Sequence, residues 1–204
     1  MKIYKELKQG TDEWFGVRLG KFTASHAQAI GNNGRGLTTL IMENVAEILT
    51  GKMKDQYTNA DIERGNELES MARSFYEVQT GNIVQEVGFV ELDEHTGCSP
   101  DGLVGDDGLL EIKCINNTKF VYMLLYSKVD PKYMWQMQMQ MHVTGRKWCD
   151  YVVYNPNFKD PLIIKRVKRD DEKIEQIKVG LENGVKKLKE VLDKIRQNNA
   201  RYKK

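Results

Sequence analysis

Apolar residues recur along this chain at two spacings, one helical and one alternating, and the change from one to the other marks its elements. Between Lys173 and Lys204, Ile174, Ile177, Leu181, Val185, Leu188, Leu192 and Ile195 step by three or four. That pattern predicts a long amphipathic helix with a 3.5-residue seam. Leu68, Met71, Ala72, Phe75 and Tyr76 show helical spacing between Asn59 and Gln79. A third helix should open at Asp130-Pro131 and run to Val143, before Thr144-Gly145. Proline suits its first turn, and the Met134, Met137 and Met141 stripe suits a core contact. Asp12 can cap a helix from Glu13, and another should follow from Thr23 through Ile30, which sets Arg18 and Ser25 beside a helix–turn–helix junction. Gly31-Asn32-Asn33-Gly34-Arg35-Gly36 reads as a connecting loop and lacks the GxxxxGK[ST] pattern of a phosphate-cradling one.

Alternation replaces this spacing in the middle of the chain. Leu110-Glu111-Ile112-Lys113-Cys114 predicts a strand with Leu110 and Ile112 on one face and Glu111 and Lys113 on the other. Gly105-Asp106-Asp107-Gly108 is a strong turn sequence, so the segment before it should fold back as the partner strand of a hairpin. Trp148 to Tyr154 and Leu162 to Val167 supply two more strands. The order is helices, three strands, helices, two strands, helix. It predicts an α/β fold with a mixed, twisted sheet flanked by helices and a long C-terminal helix.

Composition narrows the class. The 204 residues are 40% hydrophobic, enough for one sizeable core, and neither a low-complexity tract nor a Pro/Ser linker divides them, so residues 1–204 read as a single domain. The start, Met1-Lys2-Ile3-Tyr4-Lys5, has no apolar run, and no stretch approaches eighteen apolar residues. An intracellular protein with no membrane partner is expected. Cys98, Cys114 and Cys149 are odd in number and without CxxC spacing, which argues against disulfides, a zinc site and a four-cysteine iron–sulfur cluster. A net charge of +2 does not by itself point to a polyanion. Its distribution is uneven: Lys173 to Lys204 holds ten Lys/Arg against four Asp/Glu, either the solvated face of a helix packed on its own domain or a helix with a coiled-coil or DNA-tracking role.

Candidate chemistry concentrates at the hairpin. Ser99-Pro100-Asp101-Gly102 precedes the turn and Glu111-Ile112-Lys113 follows it, so Asp101 should return toward Glu111. Pro100 belongs at a strand edge or bulge, a common neighbour of active sites. Two carboxylates and an amine so arranged can hold a divalent cation and a water against a phosphodiester, whose hydrolysis requires the barrier to fall by roughly 20 kcal/mol. Lys113 can orient that water, take its proton or stabilise charge on the phosphate. Glu69 borders the buried stripe of its helix and needs a cation, either an arginine such as Arg64 or Arg73, or a metal shared with Asp101 and Glu111. Gln136 and Gln140 share a helix face nearly free of charge, where buried amides need partners. His142, near the end of the same helix, reads as structural or as a surface residue.

Pro100-Asp101, Glu111 and Lys113 match the PD-(D/E)xK nuclease motif. Trp14-Phe15-Gly16-Val17-Arg18-Leu19-Gly20 with Thr23-Ala24-Ser25 and Arg64-Gly65 with Glu69 before that motif, and Tyr133-Met134-Trp135-Gln136-Met137-Gln138 after it, stand in the order seen in the phage lambda exonuclease (YqaJ-type viral recombinase) family, which residues 12 to 144 resemble. Ile115 stands where a proline often follows Lys-Cys in that family, and the connection from Cys114 to Tyr133 is somewhat short. The resemblance implies a PD-(D/E)xK restriction-endonuclease-like core. It implies that Glu69, Asp101 and Glu111 bind Mg²⁺ or Mn²⁺, two ions per site, with the Ile112 carbonyl as a backbone ligand. Lys113 would be the catalytic lysine with Gln136 in support, and Arg18 with Ser25 would grip a 5′ phosphate. It further implies a homotrimer acting on double-stranded DNA ends, degrading one strand 5′ to 3′ and leaving 3′ single strands for a single-strand annealing protein in phage-type recombination. The amphipathic tail is one candidate surface for the trimer. Two other readings compete: a structure-specific or restriction-type endonuclease on the same core, which would have no need of a terminal-phosphate pocket, and a catalytically inactive DNA-binding recombination scaffold, which would have no need of all four of Glu69, Asp101, Glu111 and Lys113.

Overall fold

Local chemistry accounts for most of the element boundaries in the computed structural model, which describes the backbone of residues 1–53 and 60–202 and the side chains of residues 1–53 and 68–198. Arg64, Gly65 and the last residues of the Lys173 to Lys204 segment lie outside the described side chains. After β1 (Lys2–Tyr4), helix α1 (Asp12–Arg18) begins one residue earlier than its sequence suggests. Thr11, rather than Asp12, is the cap, its hydroxyl accepting from the Trp14 amide at 3.3 Å. Strand β2 (Phe22–Thr23), a 3₁₀ turn (Ala24–His26) and α2 (Ala27–Asn32) follow. The expected glycine-rich loop shrinks to a junction. Asn33 takes a left-handed conformation (φ 49°) that ends α2, and Gly34 leads directly into α3 (Arg35–Thr50), whose Leu37, Leu40, Ile41 and Val45 are buried. Burial at helical spacing outweighs the glycines there.

Helix α4 (Ala60–Thr80) is followed by β3 (Val84–Gln85), β4 (Phe89–Glu91), β5 (Thr96–Cys98), β6 (Gly102–Val104) and β7 (Gly108–Cys114). Next come α5 (Asn117–Tyr126), α6 (Pro131–Thr144), β8 (Trp148–Tyr154), β9 (Leu162–Lys168) and α7 (Asp171–Tyr202). The strands divide into two mixed sheets where the sequence suggests one. The smaller has the order β1-β4-β5-β2 and the larger β3-β6-β7-β8-β9. The hairpin is as expected, with Gly102 opposite Leu110 and Val104 opposite Gly108. Arg146 holds its turn by donating from one nitrogen to the Val104, Gly105 and Gly108 carbonyls at 3.2, 2.8 and 2.6 Å.

Both faces of the larger sheet are covered. Ala72 and Tyr76 of α4 pack on Leu110, Ile112, Val152 and Tyr154 on one face. Leu109, Tyr151 and Val153 meet Met137, Met139 and Met141 of α6 in the main core on the other. Helix α7 turns its seam inward: Ile174, Ile177, Leu181 and Leu188 are buried, and Val185, Leu192 and Ile195 pack partly buried against the same core. Its contact with α2 is close enough that a Cβ at Gly180 would lie 2.0 Å from the Ile30 carbonyl oxygen. The tail therefore spends its apolar face on its own domain rather than on another chain.

Candidate active site

The site forms where one strand outruns its neighbour. Strand β6 pairs with β7 only up to the Gly102–Leu110 pair, so one edge of β7 stands open from Glu111 onward. The chain just before β6 closes that edge. Asp101 Oδ2 accepts from the Ile112 amide at 2.6 Å. In an extended strand a residue's N–H and C=O leave on the same side, so the Ile112 carbonyl opens beside Asp101. Glu69 reaches the gap from α4 on one face, while Glu111 and Lys113 turn toward α6 on the other.

Glu111 has no exposed surface, and its carboxylate is satisfied from three directions. Gln136 Nε2 donates to Oε1 and Gln140 Nε2 to Oε2, both at 2.7 Å. Lys113 Nζ lies 2.6 Å from Oε1. The two glutamines are one helical turn apart, so their shared polar face presents paired donors to a single carboxylate. Glu69 Oε1 accepts from Arg73 at 2.8 Å, and Arg73 also pairs with Glu86. Of the two partners that its sequence leaves open, this structure shows the arginine.

Charge at the site is unbalanced. Burial first, and then the neighbouring Glu111 charge, pushes the Asp101 carboxyl well above the ordinary aspartate range, against the pull of Lys113. Burial also raises Glu69, opposed by Arg73 and Lys113 and assisted by Glu111. Burial alone would depress Lys113, but the charges of Glu111 and Asp101 and the bond to Glu111 together hold its ammonium above the usual lysine value. Three mutually repelling carboxylates and a backbone carbonyl are hard oxygen donors of the kind that suits Mg²⁺ or Mn²⁺. As they stand, no three acidic, His or Cys side chains among the described residues are gathered tightly enough to hold an ion. Arg73 and Lys113 occupy two of the carboxylates instead, so the residues fit a cation by donor type, with ion pairs to exchange.

The two residues expected at a terminal phosphate reach the same cleft, a space of about 940 Å³ whose lining includes Arg18, Ser25, Glu69 and Asp101. Gly20, at φ +68°, makes the turn after α1, and its amide donates to Glu47 Oε2 at 3.0 Å. That left-handed turn is open chiefly to glycine, and it directs the chain into β2 and the 3₁₀ turn that carries Ser25. Arg18 stacks 4.0 Å from the Trp14 ring and donates from Nη1 to Ser99 Oγ at 3.0 Å. Trp14 Nε1 donates to the same hydroxyl at 3.0 Å. Ser25 Oγ lies 3.1 Å from Thr23 Oγ1 and 3.4 Å from His26 Nδ1.

Ser99 and Gln140 join the site unanticipated. Ser99 lies inside the Ser-Pro-Asp-Gly run but carries no charge to mark it, and Gln140 shows only a face in need of a partner. Gln138, from the same motif as Gln136, points elsewhere, donating to the Lys168 carbonyl and accepting from the Asp170 amide. His142 is partly buried, and burial, then Arg169 and Lys178, lowers its pKa, in keeping with a structural residue.

Comparison with known proteins shows relatives of the whole fold. The YqaJ-like viral recombinase domain matches residues 13–147. An alkaline exonuclease from Laribacter hongkongensis, solved alone and in complex with dAMP, superposes with a TM-score of 0.87 at 37% identity, over 94% of this chain and all of that one. A phage related exonuclease from Haemophilus somnus 129PT shares the fold at 16% identity, with a TM-score of 0.65 over 86% of this chain and 96% of the other. No curated protein matches the chain.

Proposed function

The chain belongs to the YqaJ-like viral recombinase domain family, and on that premise we propose that it is a metal-dependent 5′→3′ exonuclease that digests one strand of linear duplex DNA. The observation that carries this reading is the bond from Arg18 to Ser99, two residues from Asp101. It ties a guanidinium suited to a terminal phosphate to the segment that bears Asp101, so an end held at Arg18 brings its first phosphodiester to the β7 edge. Supporting it, the Laribacter relative is an alkaline exonuclease. The 3′ single strands left behind would pass to a single-strand annealing protein in phage-type recombination. The active form is a homotrimer, with contacts other than the α7 seam, which its own core occupies.

Glu69, Asp101, Glu111 and the Ile112 carbonyl would hold the metal, Mg²⁺ or Mn²⁺, two ions per site. Bound there, it supplies a water of lowered pKa and counter-charge for the phosphate. Gln136 and Gln140 orient the Glu111 carboxylate, leaving it one direction in which to bind. Lys113, protonated in the metal-free protein, stabilises charge on the phosphate, and a cation beside it would lower its pKa toward the range of a base. Ser25 adds a hydroxyl to the phosphate pocket. End-labelled linear duplex should be digested with Mg²⁺ and spared in EDTA, while a covalently closed circle should survive both conditions. Cleavage of the circle would point to the endonuclease reading, and digestion in excess EDTA would remove the metal from the mechanism.

The raised carboxyls give a second check. A carboxyl whose pKa is raised by folding contributes stability below its unfolded pKa, about 4 for Asp and Glu, and loses it as pH rises through the raised folded value. The metal-free protein should therefore lose stability as pH climbs through that window, because Asp101 and Glu69 must ionise while buried and in the field of Glu111. Mn²⁺ binds the ionised forms, so the Tm gain on adding it should grow with pH. A gain independent of pH would detach these two residues from metal binding.

A further inference from the structure

Helix α5 leaves β7 two residues after Cys114 and turns an aromatic face to solvent. Phe120 and Met123 point into the core, while Tyr122 and Tyr126 are 60% and 66% exposed. Their rings lie one turn apart with centroids at 5.9 Å and planes 24° from parallel. The helix, Asn117–Tyr126, contains no acidic residue.

Past its end the surface becomes basic. Ser127, at φ 47°, caps α5, and its carbonyl accepts from Lys165 of β9 at 2.5 Å, which ties the helix end to the sheet. A groove of about 560 Å³ opens there, lined by Tyr126, Lys128, Lys165 and Lys168 and by Arg166, whose charge Asp150 already answers, with Asp170 as its carboxylate. At the other end, Asn155 Nδ2 donates to the Ile115 carbonyl and to Asn117 Oδ1, anchoring the start of α5 beside β8. The platform and the groove are thus held to one frame, together with the strand that bears Glu111 and Lys113.

Exposed ring faces call for a flat partner and the cations call for a polyanion. Unpaired nucleotides meet both demands, with bases stacking on the tyrosines and phosphates lying along the lysines, whereas a duplex keeps its base faces hidden. We propose that the exposed face of α5 and the adjoining groove bind single-stranded DNA. The proposal rests on the exonuclease reading for the source of that strand, the one left undigested, and on the stacked tyrosines and the basic groove for its chemistry. Val121, Leu124 and Leu125 on the same helix are also exposed, so a second copy of this chain is the rival occupant.

The test is anisotropy of fluorescein-labelled oligo(dT) titrated with the full chain in EDTA, where nothing is digested. Changing both Tyr122→Ala and Tyr126→Ala should weaken binding at least tenfold, while Tyr122→Phe with Tyr126→Phe, which keeps the rings, should stay within about twofold of wild type. Lys128→Ala and Lys168→Ala should each flatten the dependence of log affinity on log salt by about 0.7. Affinity of the double alanine variant within twofold of wild type would overturn the proposal, and sedimentation showing that the same variant no longer self-associates would then assign the face to a second copy. Digestion of linear duplex by wild type with Mg²⁺ reports on the exonuclease reading separately, since oligo(dT) binding in EDTA requires no cleavage.

Discussion

Replacing Glu111 should cost this protein at least about a thousandfold in DNA digestion, and the choice of replacement separates chemistry from folding. A loss of that size is about 4 kcal/mol of barrier, in keeping with removal of a carboxylate that holds a catalytic cation. Glu111→Ala would also strand the amides of Gln136 and Gln140 and the Lys113 ammonium, all now bonded to or paired with this carboxylate. Breaking a buried pair of this kind costs about 3 to 5 kcal/mol, so its Tm should drop by roughly 10 °C or more, and lost activity would be ambiguous. Glu111→Gln keeps the shape and one acceptor oxygen. It should fall less in Tm, lose the metal-induced Tm gain and lose cleavage to the same extent. A glutamine variant within tenfold of the wild-type rate would make Glu111 a purely structural residue.

Arg18→Ala should slow digestion of a 5′-phosphorylated duplex by about 30- to 1000-fold, the consequence of losing a charged contact worth about 2 to 4 kcal/mol. A 5′-hydroxyl end has no terminal dianion to lose and should respond far less. Rates for both proteins on both ends form a double-mutant cycle, and the coupling term isolates the interaction of the arginine with the phosphate. The packing of Arg18 adds a graded control. Ser99→Ala removes the hydroxyl that accepts from both Arg18 and Trp14 but leaves the guanidinium on the indole. It should reproduce part of the effect, with the same preference for the phosphorylated end. Equal slowing of both ends by Arg18→Ala would reduce the arginine to scaffolding and leave the direction of digestion without a physical basis.

These two sites were legible in the sequence to different depths. The Asp101 to Lys113 hairpin was open to reading because turn chemistry and strand alternation act over a few residues, and the structure pairs Gly102 with Leu110 as that logic requires. The helices carrying Glu69 and Gln136 were legible from apolar spacing, and the α7 seam from its repeat. Helix α3 was missed because Gly34 and Gly36 at its start suggest a loop, while its buried face is decided by what packs against it. The division into two sheets was missed because strands of two or three residues, such as β2 and β3, carry too few side chains to show a period.

The sequence by itself determined the local geometry of the hairpin, which depends on neighbours within about ten positions, and its resemblance to a nuclease family nominated Arg18, Ser25, Glu69 and Gln136, which local spacing does not single out. Only the tertiary structure decided what each charge meets. That Gln140 joins Gln136 on Glu111, that Arg73 answers Glu69, and that Ser99 links Arg18 to the Asp101 segment are contacts across 4 to 81 residues of chain. Those beyond one helical turn have no periodic signature. They arise where β6 stops short of β7, because an unpaired strand edge is the one place in a sheet covered on both faces where side chains from α4, α6 and the smaller sheet's exit can converge.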